Sequence, residues 1–258
     1  MFEQERMIGR LQRRVAADPD IYACFLSGSF GRRASDDYSD LDVTLVFNSD
    51  PALENAWRNR GQFSKSIMPY ISIKAFDANQ IRPYCYSVLY ANGSKLDLRW
   101  ETRDALDPNP WDSKIRILKD TEGWAESYQA QSSLLPLPQT TISHQELTLL
   151  DQRFWVMYWD VLRLMARDDA EKSFPIYLNM LQFTFPPLLE ALPPQTPIRT
   201  KLIDACFRSD RDMRSRNMKG LLHAYLEARQ VLIEYYHLQF VGDKSFENQI
   251  QRLVEKLT

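Results

Sequence analysis

Hydrophobic positions along the chain change period once, and that change divides it. Residues 4–17 place Met7, Ile8, Leu11 and Val15 on one face at helical spacing, which predicts an amphipathic helix. Strand signals follow. Ile21–Ser27 is a continuous apolar run, and Leu41–Phe47 alternates, with Leu41, Val43, Leu45 and Phe47 on one side. Ile71–Phe76 is a further candidate strand, as is Ile115–Lys119. Tyr84–Ala91 and Ser94–Glu101 flank Asn92-Gly93, a hairpin signal in which both turn residues adopt positive φ. That turn sets Val88 opposite Asp97, with Tyr86 and Tyr90 on the same face as Asp97.

The stretch SSLLPLPQTT (132–141) reads as a proline-containing linker. Beyond it helical periodicity dominates at 143–168, 174–191, 196–207 and 217–240, with a short helix after Phe246. Ser143 and Glu146 fit a capping box. Pro186-Pro187 and Pro193-Pro194 should kink or end the second of these helices. The expected fold class is therefore α+β: a mixed sheet with flanking helices over 1–135, then an all-α helical bundle over 142–258.

Composition narrows the partners. The 258 residues carry 32 basic and 34 acidic side chains, and the balance holds in both halves. Proteins that grip long nucleic acid usually carry a basic excess. Its absence favours a small acceptor. The three cysteines have no paired spacing, which fits reduced thiols rather than a disulfide framework or zinc site. The charged N-terminus does not read as a signal peptide, and no apolar run approaches the ~20 residues that span a bilayer. The expected location is the cytoplasm, with no membrane partner.

Candidate chemistry lies in LSGSFGRRASDDYSDLDVTLVF, residues 26–47. Asp40 and Asp42, two apart where a strand opens, project to the same face. Carboxylates so close repel unless a cation sits between them, and oxygen ligands that leave room for phosphate oxygens suit Mg²⁺. Gly28 lets the backbone approach a phosphate closely, and Ser29 and Arg32 can hydrogen-bond its oxygens. Ser39, beside Asp40, is counted with these nucleotide-binding candidates. Asp97 lies on the polar face of Ser94–Glu101 and is the third candidate metal ligand. There is no P-loop sequence.

Each of these residues has a plainer explanation. Asp-x-Asp occurs on solvated strand edges, Gly28-Ser29 and Gly31 fit an ordinary turn, and Asp97 could face water beside Lys95 and Arg99. His144, His223 and His237 lack metal-ligand spacing. Trp155, Tyr158, Trp159, Tyr235 and Tyr236 read as helix-bundle core, and Arg208, Arg211, Arg214, Arg216 and Lys219 as a solvated loop.

Gly-Ser, a ten-residue gap, Asp-x-Asp at a strand start and a later strand aspartate together resemble the DNA polymerase β-like nucleotidyltransferase superfamily. The two-part layout is similar to bacterial aminoglycoside and lincosamide nucleotidyltransferases, and IRILKDTEG (115–123) resembles the segment closing their catalytic domain. The resemblance implies two Mg²⁺ ions, held by Asp40 and Asp42, with Asp97 on the ion that activates the attacking hydroxyl. It implies an NTP co-substrate, foremost ATP, and a small hydroxylated acceptor such as an antibiotic. It also implies a general base from the helical part. Asp151, sharing a stripe with Trp155, Tyr158 and Leu162, is the candidate, because burial among aromatics would raise its pKa. Asp160 is the rival. A protein or RNA acceptor, as in antitoxin-like relatives, a non-catalytic nucleotide-binding role and an oligomeric state all stay open.

Overall fold

The computed structural model describes residues 3–68, 76–77, 81–138, 141–193, 195–207, 211–237, 239–240 and 244–257. The chain forms two units, Met1–Leu137 with Phe240–Leu257, and Pro138–Gln239. The division falls inside the proline-containing linker.

In the first unit, helix α1 (Gln4–Ala16) leads into β1 (Ile21–Leu26), a one-turn helix α2 (Gly28–Gly31) and β2 (Leu41–Phe47). Helices α3 (Asp50–Arg58) and α4 (Arg60–Ile67) follow. Then come β3 (Phe76–Asp77), β4 (Tyr84–Leu89), β5 (Lys95–Thr102), β6 (Arg116–Asp120) and α5 (Trp124–Leu134). The strands form one mixed sheet in the order β3-β4-β5-β2-β1-β6. β2 and β5 run parallel, and every other neighbouring pair is antiparallel. Of the strand expected at Ile71–Phe76, positions 71–75 lie outside the described residues.

β1 is buried along its whole length because both faces of the sheet are covered there. On one face Leu41, Val43 and Leu45 join Leu96, Leu98 and Trp100 beneath α1, α3 and α4. Met7, Ile8, Leu11 and Val15 are at most 1% exposed. Burying such side chains contributes about 1.5–3 kcal/mol each, so α1 is held by its apolar stripe. On the other face Ala23, Phe25 and Val46 pack against Ala125 and Tyr128 of α5.

The β4–β5 connection differs from the expected two-residue turn. Gly93 N–H donates to Tyr90 O (2.9 Å) and Tyr90 N–H to Ser94 O (2.9 Å). Gly93 has φ 90°, and Asn92 is not among the residues with positive φ. This is a three-residue loop with glycine in the bulge position. The register moves by one residue, so Ser87, not Val88, faces Asp97. A one-residue shift exchanges the faces. Tyr86, Val88 and Tyr90 therefore enter the core rather than sharing the face of Asp97.

The second unit contains α6 (His144–Met165), α7 (Ala170–Ala191), α8 (Pro197–Cys206) and α9 (Arg211–Tyr235), and α10 (Lys244–Leu257) belongs to the first. The capping box forms: Glu146 N–H donates to Ser143 Oγ, and Ser143 N–H to Glu146 Oε2. α7 runs through Pro186-Pro187 and ends at Ala191, just before Pro193. The Arg199 guanidinium donates to the carbonyls of Leu189 and Leu192 at that end, satisfying groups a helix terminus leaves open. Arg211, Arg214, Arg216 and Lys219 lie in helix α9 rather than in a loop, and Arg208 lies outside the described residues.

The expected aromatic core of this unit is not formed. Trp155, Trp159, Tyr235 and Tyr236 are each more than half exposed, and Tyr158 is 41% exposed. The buried positions on α6 and α7 are instead Val161, Leu164, Ser173, Met180 and Thr184. Phe154 meets Phe185 edge-on with ring centroids 6.3 Å apart.

Candidate active site

The site is assembled where β1 ends and β2 begins. Ser27 N–H donates to Asp42 O (2.9 Å), tying the two strands together ahead of α2. Within α2, Gly31 N–H donates to Ser27 O (2.9 Å) and Arg32 N–H to Gly28 O (3.2 Å). Gly28 has φ +59°, and a Cβ built on it would overlap the Asp42 carboxylate. Only glycine meets both conditions without strain. Gly31 is equally constrained: an added Cβ would lie 2.6 Å from Lys114 O and 2.8 Å from Leu26 O. Its role is close packing of α2 against the sheet, which the local sequence did not reveal.

The loop between α2 and Asp40 is shaped from two sides. Asp36 N–H donates to Ser39 Oγ, and Ser39 Oγ donates to Asp36 Oδ1, both at 2.9 Å. Gln4 Nε2 donates to Asp37 O (2.9 Å) and Ser39 O (3.0 Å). Gln4 is only 6% exposed. It extends the apolar stripe of α1 by one turn, and that placement of a polar side chain was the available signal for its role. The hydroxyl of Ser39 is thus engaged in holding the loop.

Asp42 and Asp97 are register partners on the parallel strands β2 and β5. With Asp40 they form a cluster in which one carboxylate oxygen from each residue lies within 4.8 Å of the other two. Desolvation by burial, then repulsion from Asp40 and Asp97, push the Asp42 carboxyl above the ordinary aspartate range, against pulls from Lys95 and Arg32. Lys95 Nζ lies 2.5 Å from Asp97 Oδ2 and 3.4 Å from Asp40 Oδ2. The hydrogen bond to Asp97, foremost, raises the lysine's own pKa. The buried Asp97 Oδ1 has no hydrogen-bond partner among the described residues. An oxygen-only donor set with one orphaned carboxylate oxygen fits a hard divalent cation.

Beside the cluster lies a cleft of about 300 Å³ whose lining includes Ser27, Thr44, Cys85, Ser87 and Arg99. Arg99 is two residues along β5 from Asp97. Its guanidinium donates to Thr44 Oγ1 (3.1 Å) and Asp112 Oδ2 (2.6 Å), and Tyr128 Oη donates to the same Asp112 oxygen (2.8 Å). This network links Arg99 in the cleft lining to Tyr128 of α5. Ser29 is half-buried, and Arg32 is exposed and acts electrostatically on Asp42.

Asp151 is placed differently from expectation. It is exposed on α6, where Trp155 Nε1 donates to its Oδ1 (3.1 Å), and Trp155 is itself 58% exposed. The aromatic burial anticipated around this carboxylate is not formed. Asp160 pairs with Arg163 at 2.9 Å, an exposed i,i+3 ion pair.

A mixed sheet that presents clustered carboxylates beside a glycine turn has the parts nucleotidyl transfer needs, and family membership makes this chain a nucleotidyltransferase. The profile of the streptomycin adenylyltransferase family matches residues 1–176, and the chain belongs to that family. No curated protein matches the sequence. Solved structures that match include one described as a toxin-antitoxin with AMP-PNP, at 14% identity and TM-score 0.26. It covers 61% of this chain and 98% of that one. An aminoglycoside 6-adenyltransferase from Bacillus subtilis matches at 12% identity and TM-score 0.29, covering 98% and 97%. The family match, not these distant likenesses, carries the assignment.

Proposed function

We propose that this enzyme transfers AMP from ATP to a hydroxyl of a small polyhydroxylated acceptor, an aminoglycoside-type antibiotic, with release of pyrophosphate. The observation that carries this reading is the cluster of Asp40, Asp42 and Asp97 with an unpartnered oxygen on Asp97. In the reaction the acceptor oxygen bonds to the α-phosphorus as the bond from that phosphorus to the β-bridging oxygen breaks. The hydroxyl proton goes to a carboxylate, for which we propose Asp151.

Asp40, Asp42 and Asp97 would hold two Mg²⁺ ions, which supply charge neutralisation at the triphosphate and acidify the attacking hydroxyl. Gly28 and Ser29 offer backbone and hydroxyl donors to phosphate oxygens, and Arg32 adds positive charge. Ser39 acts through the loop that positions Asp40. The near balance of charge, with no basic excess, favours a small acceptor over nucleic acid. Among the described residues no helix is long and apolar enough to cross a membrane, and the cytoplasm, where ATP is available, is the proposed location.

The test is incubation with Mg²⁺, each α-labelled NTP and a panel of aminoglycosides and lincosamides, reading pyrophosphate and labelled acceptor. Label on a small acceptor, lost in Asp42→Asn, supports the reading. Label appearing only on an added protein or RNA moves the acceptor to that class, and no label with any acceptor overturns it.

A further inference from the structure

We propose that Lys95 is a displaceable counter-ion of the aspartate cluster: without metal its ammonium occupies the seat between Asp40 and Asp97, and metal binding expels it. This rests on the metal-binding reading above and adds to it a role for a residue outside the ligand set.

Three observations carry the inference. Lys95 Nζ contacts two of the three clustered aspartates, at 2.5 Å from Asp97 Oδ2 and 3.4 Å from Asp40 Oδ2. The cluster has at least one oxygen left over, the buried Asp97 Oδ1, so the lysine satisfies it only in part. The Lys95 side chain is 47% exposed at the end of β5, which leaves its four-carbon stem an exit to solvent.

Three carboxylates, each with one oxygen within 4.8 Å of an oxygen of the others, repel one another, and a monovalent ammonium offsets that repulsion when nothing else does. A divalent cation at the same oxygens offsets it better and repels the ammonium. Occupancy by the two cations is therefore mutually exclusive, and metal affinity is reduced by the free energy of breaking the lysine contacts. Exposed ion pairs are weak individually, so two of them should lower metal affinity about threefold to tenfold. A low barrier of this size keeps the cluster folded when empty and still lets metal in.

The test uses Mn²⁺ as the probe, titrated at fixed ionic strength and read by electron paramagnetic resonance on wild type, Lys95→Met, Lys95→Arg and Asp42→Asn. Lys95→Met should bind Mn²⁺ about threefold to tenfold tighter than wild type, with a larger thermal shift at saturation. Lys95→Arg, which keeps the charge, should stay within about twofold of wild type. A lysine that serves only as surface packing would leave the Mn²⁺ affinity unmoved. If Asp42→Asn loses the site while Lys95→Met binds like wild type or more weakly, the counter-ion role fails and the metal site stands. If wild type and Asp42→Asn bind Mn²⁺ alike, or neither binds it, the metal-site reading fails and the counter-ion role fails with it.

Discussion

Asp42 and Asp97 sit side by side as register partners across the parallel strands β2 and β5. The backbone hydrogen bonds of both strands fix the two Cα positions side by side, so the carboxylates stay within reach of one another's repulsion. Asp42→Asn should therefore do two opposite things. Turnover should fall by at least ~10²-fold, because a metal ligand, the role proposed for Asp42, supplies several kcal/mol of transition-state stabilisation. The metal-free melting temperature should rise, because a half-buried charge beside Asp40 and Asp97 is removed. Steady-state kinetics and a thermal melt followed by circular dichroism check both outcomes.

The raised pKa of Asp42 sets the pH dependence. Burial, foremost, and the neighbouring carboxylates make the folded state hold this proton more tightly than the unfolded chain, whose value is near 3.8. Between 3.8 and the raised folded value, the native state binds more protons, so stability from this group increases as pH falls and is lost as pH rises. The stability gap between metal-free wild type and Asp42→Asn should narrow on acidification through that window. Metal affinity should move the opposite way, weakening as pH falls, because the ligand must be deprotonated. Melts at a series of pH values, with and without Mg²⁺, read both trends.

Gly28→Ala tests the coupling of turn and carboxylate. A non-glycine residue at φ +59° costs about 1–2 kcal/mol, and the new methyl would also meet the Asp42 carboxylate. The melting temperature should drop and activity should be lost together. Urea denaturation measured beside the nucleotidyl-transfer assay separates this from a purely catalytic defect, in which the denaturation midpoint would not move.

The placement of Asp40, Asp42 and Asp97 was legible because strand alternation is local: Leu41, Val43, Leu96 and Leu98 mark the core face, and the aspartates fall opposite. The strand pairing that brings β5 beside β2 is not a local property, so the contacts of Lys95 with the cluster and of Gln4 with the 37–39 carbonyls were hidden. The hairpin register slipped by one because Asn-Gly can close a two-residue or a three-residue loop, and composition does not distinguish them. The aromatic stripe of α6 was misread because periodicity gives a face but not what covers it. Trp155 and Trp159 lie outside the packed positions Val161 and Leu164.

The network behind the cleft should be structural in its energetics. Asp112 is 3% exposed and accepts from both Arg99 and Tyr128. Asp112→Ala leaves a largely buried guanidinium and a phenol hydroxyl without their shared acceptor, which should cost about 3 kcal/mol. Asp112→Asn, keeping one acceptor oxygen, should cost less. The difference between the two urea midpoints, at equal denaturant slope, measures the charge separately from the hydrogen bond.

Asp151→Asn tests the proposed base with little disturbance to its helix. The asparagine Oδ1 can still accept the Trp155 indole N–H that now meets Asp151 at 3.1 Å, so α6 should keep its local geometry. What is lost is the ability to take a proton. A positioned base contributes about 10²–10⁴-fold, so kcat should fall by at least ~10²-fold while the KM for ATP holds. Asp160→Asn is the matched control, since Asp160 is engaged with Arg163 on the surface and should leave kcat within about twofold. An unchanged kcat in Asp151→Asn, with the same pH dependence as wild type, assigns proton removal to another group. A fall in Asp160→Asn alone makes Asp160 that group.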